Sequence, residues 1–234
     1  MRRKTGNDRS DPPALREAQS GGEDAGGEDA EGRPARILAA AAELMGERGF
    51  NGTSVQAIAD RAEVNKALVF YYFGNKTKLF AKIFEHFLGG LHRALEASLV
   101  GAGAPEPPRS ALDKLHAVVD AYSDCIEEHP SYPRLVQREL SNAQGRHDLL
   151  ASYNARNYEL VRSSLGELTH DEAGPEAAHQ LFASVVGMIL YYHLAAPVML
   201  PGVADPLSPE ARQARRAHVH WAVDALVSAV AKAR

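Results

Sequence analysis

Apolar side chains recur along most of this chain at three- and four-residue steps. Ile37, Leu38, Ala41, Leu44 and Met45 form such a series behind Pro34, and Gly49 supplies a stop, which predicts a first helix beginning at Pro34. Thr53 or Ser54 is placed to cap a short second helix with Val55, Ile58 and Ala59 inward, and Asn65 to cap a third running to about Tyr72. Gly74-Asn75 punctuates before a long fourth helix that carries Leu79, Ile83, Phe84, Phe87, Leu91 and Leu95. Beyond a Gly/Pro-rich link at 101–108 the helical period continues. Its stripes are Leu112–Ile126, a short piece at 134–140, and Leu150, Tyr153, Asn157, Val161, Ser164 and Leu168. Pro175 and Pro209 open two last helices, the second carrying Trp221, Ala225, Val227 and Val230. No segment alternates as a strand does, so the predicted fold class is all-α.

Two segments depart from this pattern. Residues 1–32 hold a repeated Gly-Gly-Glu-Asp-Ala, Pro12-Pro13 and few large apolar side chains, so they read as a disordered N-terminal tail. Arg2-Arg3 is not followed by the apolar stretch of an export signal. Ala177–Ala204 contains no Asp, Glu, Lys or Arg and is long enough to span a bilayer. Its His179, Gln180, His193, Pro197 and Pro201 favour a helix at a core or subunit interface instead, and no membrane partner is expected.

Composition is that of an ordinary globular chain: 234 residues, 45% hydrophobic and 24% charged, which excludes a mostly disordered or collagen-like protein. Cys125 is the one cysteine, so an intrachain disulfide or a Cys-rich zinc site is excluded and a reducing cytoplasm fits best. The net charge of −4 speaks against a nucleic-acid partner until it is divided along the chain. Residues 33–79 carry seven basic and four acidic side chains, and Val64–Phe84 contains four lysines and no acid.

Residues 53–73 have the layout of a helix-turn-helix, with Val64 able to plug the space between two short helices and Ala59 and Ala62 small where they approach. Helical pairs with short turns are common, so this spacing alone leaves DNA binding open. The run Thr53-Ser54-Val55-Gln56-Ala57-Ile58-Ala59, followed by Val64-Asn65-Lys66-Ala67-Leu68-Val69-Phe70-Tyr71-Tyr72-Phe73-Gly74-Asn75-Lys76, closely resembles the TetR family of transcriptional regulators. The resemblance extends over about residues 33–84, through Ile37-Leu38-Ala39-Ala40-Ala41, Gly49-Phe50 and Leu79-Phe80. Glu63 stands where glycine is common, Val69 where leucine is usual, Phe70 for a frequent tyrosine and Tyr72 for a frequent histidine. The resemblance implies a helix-turn-helix domain at 33–80 and a helical effector-binding and dimerisation domain at 81–234. It also implies a dimer on a palindromic double-stranded operator, most often a repressor, in the cytoplasm at the nucleoid.

That resemblance and groove geometry together nominate Gln56, Asn65, Lys66 and Ala67 for base edges, with Lys66 donating to guanine and Ala67 meeting a thymine methyl. Thr53, Ser54, Tyr71, Tyr72 and Lys76 are nominated for phosphates, and Phe70 and Phe73 for the core. One short recognition helix discriminates weakly, so a homodimer is expected, through the helices near 175–196 and 209–231 that the resemblance assigns to the interface. Tyr122, Cys125, His129, Tyr153, Asn157, Tyr192 and His193 place polar atoms on or beside apolar stripes and are nominated to line a pocket for a small-molecule effector.

Two other classes compete. For an enzyme, the sequence offers no nucleophile elbow, phosphate loop, dinucleotide fingerprint or zinc-protease motif, and no cofactor is expected. Cys125 and His129, four residues apart, are the one pair open to nucleophilic or metal chemistry, and no third partner is specified. A helical ligand carrier or interaction module without DNA binding is the other alternative, against which the basic block at 64–84 weighs.

Overall fold

Helix α1 (Glu28–Gly52) begins ahead of Pro34, which lies inside it, so residues 28–32 are helical and not tail. Pro34 is the seventh residue of this range, where its missing N–H and its ring interrupt the hydrogen-bond ladder to residue 30. The structure, a computed structural model, describes residues 28–100, 110–142, 147–164 and 174–232. The predicted tail at 1–27 and Leu168 of the seventh stripe lie outside the described residues. All regular structure among the described residues is helical.

Helix α1 is kinked at Gly49, whose φ of 76° and ψ of 168° break it at the stop the sequence predicts, and a last short piece runs on to Gly52. Helices α2 (Val55–Arg61) and α3 (Lys66–Phe73) follow, capped by Ser54 and Asn65. The Ser54 hydroxyl oxygen accepts from Ala57 N at 3.0 Å, and the Asn65 amide oxygen from Ala67 N at 2.9 Å. Ala59 and Ala62 are buried between them, and half-buried Val64 packs against the same core. Glu63 adopts a left-handed φ of 54°, the conformation glycine would take without strain. Helix α4 (Lys76–Val100) then runs unbroken through residues 80 and 81, so one helix belongs to both halves of the fold. Its inner face, with Leu79, Phe80, Ile83 and Phe84 at one end and Leu91, Leu95 and Leu99 toward the other, is buried throughout.

The larger body is built from α5 (Ala111–Glu128), α6 (Tyr132–Leu140), α7 (His147–Ser164), α8 (Gly174–Met199) and α9 (Pro209–Lys232). Helix α5 is central, packing on α4, α7, α8 and α9. It opens on a capping box in which Ser110 and Asp113 satisfy each other's backbone N–H groups. Its outer face meets α9 through two stacked imidazoles, His116 and His220, 4.4 Å apart, each bound to an aspartate of the opposite helix: His116 to Asp224 and His220 to Asp120. Helix α6 lies on α1, where Arg138 Nε donates to the Gly46 carbonyl at 2.6 Å and its Nη2 to that of Glu47. A side chain at Gly46 would stand 3.3 Å from the Ser131 carbonyl, so glycine permits this close approach.

Of the two places expected for helix α8, a core or a subunit interface, it is not in the core of this chain. Residues His179–Met199 have a mean hydropathy of 1.7, yet only 17% of that window is buried within the chain. By length and composition this helix could cross a membrane. Here it packs on α5, α6, α7 and α9, leaving Tyr191, Val198 and Met199 exposed.

Two substitutions test the local accounts. Glu63→Gly relieves the left-handed strain and, net of glycine's greater chain entropy, should stabilise by roughly 0.5–1 kcal/mol, raising Tm by about 1–4 °C in thermal denaturation. Lys76→Met removes a side chain whose Nζ donates to the Phe50 and Thr53 carbonyls, at 2.9 and 3.0 Å, and lies 4.3 Å from the Phe50 ring centre. Its loss should cost about 1 kcal/mol and lower Tm by about 2–4 °C.

Candidate nucleic-acid interface

The outward surface of α3 comes from four residues. Lys66, Ala67, Phe70 and Tyr71 are all exposed, and at 100° per residue they fall within an arc of about 140°. The opposite side, with Val69 buried and Phe73 half-buried, holds the helix against the core. The Asn65 cap fixes where α3 starts, so Lys66 and Ala67 project from the first turn, the part of a recognition helix that reaches base edges. Gln56 on α2 is exposed beside it, its Nε2 donating to Asp60 Oδ1 at 2.7 Å. Ser54 and Lys78 extend the exposed polar rim, and Asn75 Oδ1 caps α4 by accepting from Lys78 N at 2.8 Å.

Two of the nine nominated DNA contacts take structural positions instead. Thr53 is 1% exposed, and its hydroxyl donates to the carbonyls of Leu44 and Gly49 at 3.1 and 2.9 Å, which turns it away from any phosphate. Two of the three N–H donors of Lys76 are committed to the Phe50 and Thr53 carbonyls, so this ammonium braces the turn ahead of α2. Tyr72 is half-buried against the core, edge-on to the Tyr71 ring at 5.2 Å, whereas Tyr71 is 76% exposed.

Phe70 is the residue that sequence reasoning misplaced. Its spacing from Phe73 suggests a shared inner face, but its side chain is 42% exposed. Every residue from Ala67 to Phe73 is apolar or aromatic, so no polar position marks which side of α3 faces out. Lys78, exposed on the same rim, is one of the lysines of the acid-free basic segment.

The seven pocket nominees do not converge. Tyr122 and Cys125 are buried on α5, where burial raises the phenol above its ordinary range and, with Glu128 and Asp124 adding, pushes the thiol up to about 12. Such a thiol is protonated at neutral pH, which weighs against a Cys125–His129 nucleophile. His129 packs edge-on to His86 and Phe87, and burial, with His86 adding, lowers its pKa. His129 and His193 both line an open cleft of about 980 Å³ between α1, α4 and the α5–α6 turn. Asn157 is committed elsewhere: it binds His92 Nδ1 at 3.0 Å and donates to the Leu88 carbonyl at 3.4 Å, joining α7 to α4. Half-buried Tyr153, on the same helix, has its hydroxyl pKa raised, by burial first and by Glu85 of α4 next. The Tyr192 hydroxyl donates to the Pro206 carbonyl at 2.9 Å. Among the described residues no group of three or more His, Cys, Asp or Glu is arranged to hold a metal ion.

Comparison with known proteins places this geometry. Residues 37–83 match the family model of bacterial regulatory proteins, tetR family. The chain is 30% identical over 131 residues to the HTH-type transcriptional repressor NicS of Pseudomonas putida, covering 56% of this chain and 55% of that protein. It is 27% identical over 164 residues to the HTH-type transcriptional regulator BetI of Brucella anthropi, covering 70% and 83%. The chain thus spans about half the length of the first relative and most of the second. The fold matches that of the fatty acid degradation regulator FadR from Bacillus halodurans with a TM-score of 0.64 at 16% identity, over 81% of this chain and 96% of that one. The helix-turn-helix headpiece, residues 37–83, belongs to the tetR family of bacterial regulatory proteins, and the helical body behind it has the fold of solved regulators of that family.

Proposed function

We propose that this protein is a ligand-responsive transcriptional regulator, most simply a repressor, that binds a palindromic operator as a homodimer and releases it when a small molecule occupies the helical body. The observation that carries the proposal is the outer face of α3: Lys66, Ala67, Phe70 and Tyr71 exposed on a capped helix, within a segment of net charge +3 in a chain of net charge −4. Positive charge gathers DNA and the α3 side chains read it. In this reading Lys66 donates to guanine in the major groove, Ala67 and Phe70 lie against thymine methyls, and Ser54, Tyr71 and Lys78 meet phosphates. Such a protein acts in the cytoplasm, at the nucleoid.

The body supports a dimer. Helix α8 exposes Tyr191, Val198 and Met199, and α9 exposes Trp221 and Leu226, an apolar surface on the two helices that the chain itself leaves uncovered. A second copy bringing the same surface forms a four-helix contact, buries these side chains and sets two α3 helices on successive turns of the duplex, about 34 Å apart. The apolar character of α8 is then that of a subunit interface.

Binding sites recovered by footprinting the purified protein on genomic DNA should be palindromic, with half-sites about one helical turn apart; recovery of sites without two-fold symmetry would sink the dimeric reading. On such a site, Lys66→Ala should lower discrimination between matched and mismatched half-sites by about 1–3 kcal/mol while non-specific binding changes little, as read by fluorescence anisotropy. Replacing Val198 and Trp221 together by aspartate should give a folded monomer by light scattering and circular dichroism, with operator affinity lowered about 100-fold or more. A variant that stays dimeric would place the interface elsewhere.

A further inference from the structure

Two phenol hydroxyls inside the body have no partner. Tyr122 on α5 is 5% exposed, and neither its hydroxyl nor that of Tyr158 on α7 makes a hydrogen bond, although both oxygen atoms are buried. Buried hydroxyls are nearly always paired, so two unpaired ones in one bundle require an explanation. The ring of Phe182 on α8 lies between them, edge-on to both, with its centre 6.2 Å from Tyr122 and 5.4 Å from Tyr158. Beside Tyr158 and Phe182 runs a slit walled by Leu115, Val118, Leu181 and Val185, with only about 10 Å³ open to a water-sized sphere. That is the least that a single water needs, so the slit is closed to anything larger. On the outer side the exposed ring of His179 stacks on Tyr158 at 4.6 Å.

We propose that this slit is the closed form of the effector site, that Phe182 is its gate, and that the effector is an uncharged, mainly apolar molecule whose carbonyl or hydroxyl oxygen accepts from Tyr122 and Tyr158. The proposal rests on the regulator reading above and names its ligand class. Movement of the half-buried Phe182 ring opens the slit toward Tyr122, and the aromatic row His179–Tyr158–Phe182–Tyr122 leads inward from the surface. The walls are aliphatic and aromatic, as a small-molecule site requires, with two donors to fix orientation. Charge on the ligand finds no answer. Arg162, the one charged residue on the slit wall, has its guanidinium bound to Glu159 through both Nε and Nη2. A hydroxyl that is unpaired in the empty protein and paired in the loaded one contributes its whole hydrogen bond to binding.

The test uses the full chain and a neutral ketone probe, 6-propionyl-2-(dimethylamino)naphthalene, beside 2-(dimethylamino)naphthalene, which lacks the carbonyl. The ketone should bind with a blue-shifted emission and the parent amine about tenfold or more weaker. Tyr122→Phe and Tyr158→Phe should each weaken the ketone about tenfold, leave the amine unchanged and leave the Tm of the empty protein equal or higher. A hydroxyl with a merely structural role would lower that Tm when removed. Phe182→Ala should speed ketone association in stopped flow. Equal binding of the two probes, or ketone affinity untouched by both tyrosine substitutions, would overturn the proposal. Operator binding measured on the same preparations separates the two readings. Protein that binds operator but not ketone removes this site and keeps the regulator. Protein that binds ketone through the tyrosines but no DNA keeps the site and removes the regulator.

Discussion

A helix that stops leaves its last carbonyls without intrahelical partners, and the end of α1 is where this structure meets that constraint. The carbonyls of Leu44 and Gly49 accept from Thr53, those of Gly46 and Glu47 from Arg138, and that of Phe50 from Lys76. These three side chains come from the start of the helix-turn-helix, from α6 of the body and from the first residue of α4. One helix terminus therefore fixes three neighbours at once. It sets the entry angle of α2, holds α4 beside it and fastens the body to the headpiece. The left-handed break at Gly49 brings these carbonyls within reach of all three donors.

This explains why some residues were legible in the sequence and others were not. Helix periods, the Gly49 stop, the Ser54 and Asn65 caps and the basic segment are local properties, fixed by residues a few positions apart, and each reads directly from the chain. Thr53 and Lys76 are different. Their polar ends are compatible with phosphate contact when seen locally, and only the fold shows that carbonyls from α1 and its turn already hold them. The same limit applied to Asn157 and Tyr192, which look like pocket polar groups on a stripe but answer His92, Leu88 and Pro206 from other elements. In α3 the difficulty was of another kind: seven consecutive apolar or aromatic residues carry no period, so Phe70 could be assigned to either face.

The body shows a division of labour between its two kinds of contact. The α5–α9 seam is polar, with paired imidazoles and aspartates and Arg216 bound to Asp124 and Glu127. Such pairs fix register more than they add stability, since partly exposed ion pairs are worth about 0–1 kcal/mol each. The α5–α7–α8 seam is aromatic and aliphatic, and two of its hydroxyls are unpaired. A seam with unsatisfied groups packs less favourably than its neighbours, and this is where a bundle gives way first.

The continuity of α4 has a mechanical consequence. A helix of 25 residues is about 37 Å long, and this one stays helical across Gly89-Gly90 at its middle. Its first residue touches the turn that positions α2, while its later turns pack on α5 and α7. A helix that tilts as one piece converts angle into distance: a tilt of about 3° about its far end carries Lys76 through about 2 Å. In the proposed two-fold pair the displacements of the two helices add, so a motion of the body too small to disturb its core would shift the spacing of the two α3 helices by about 4 Å, more than a base pair's rise along the duplex axis.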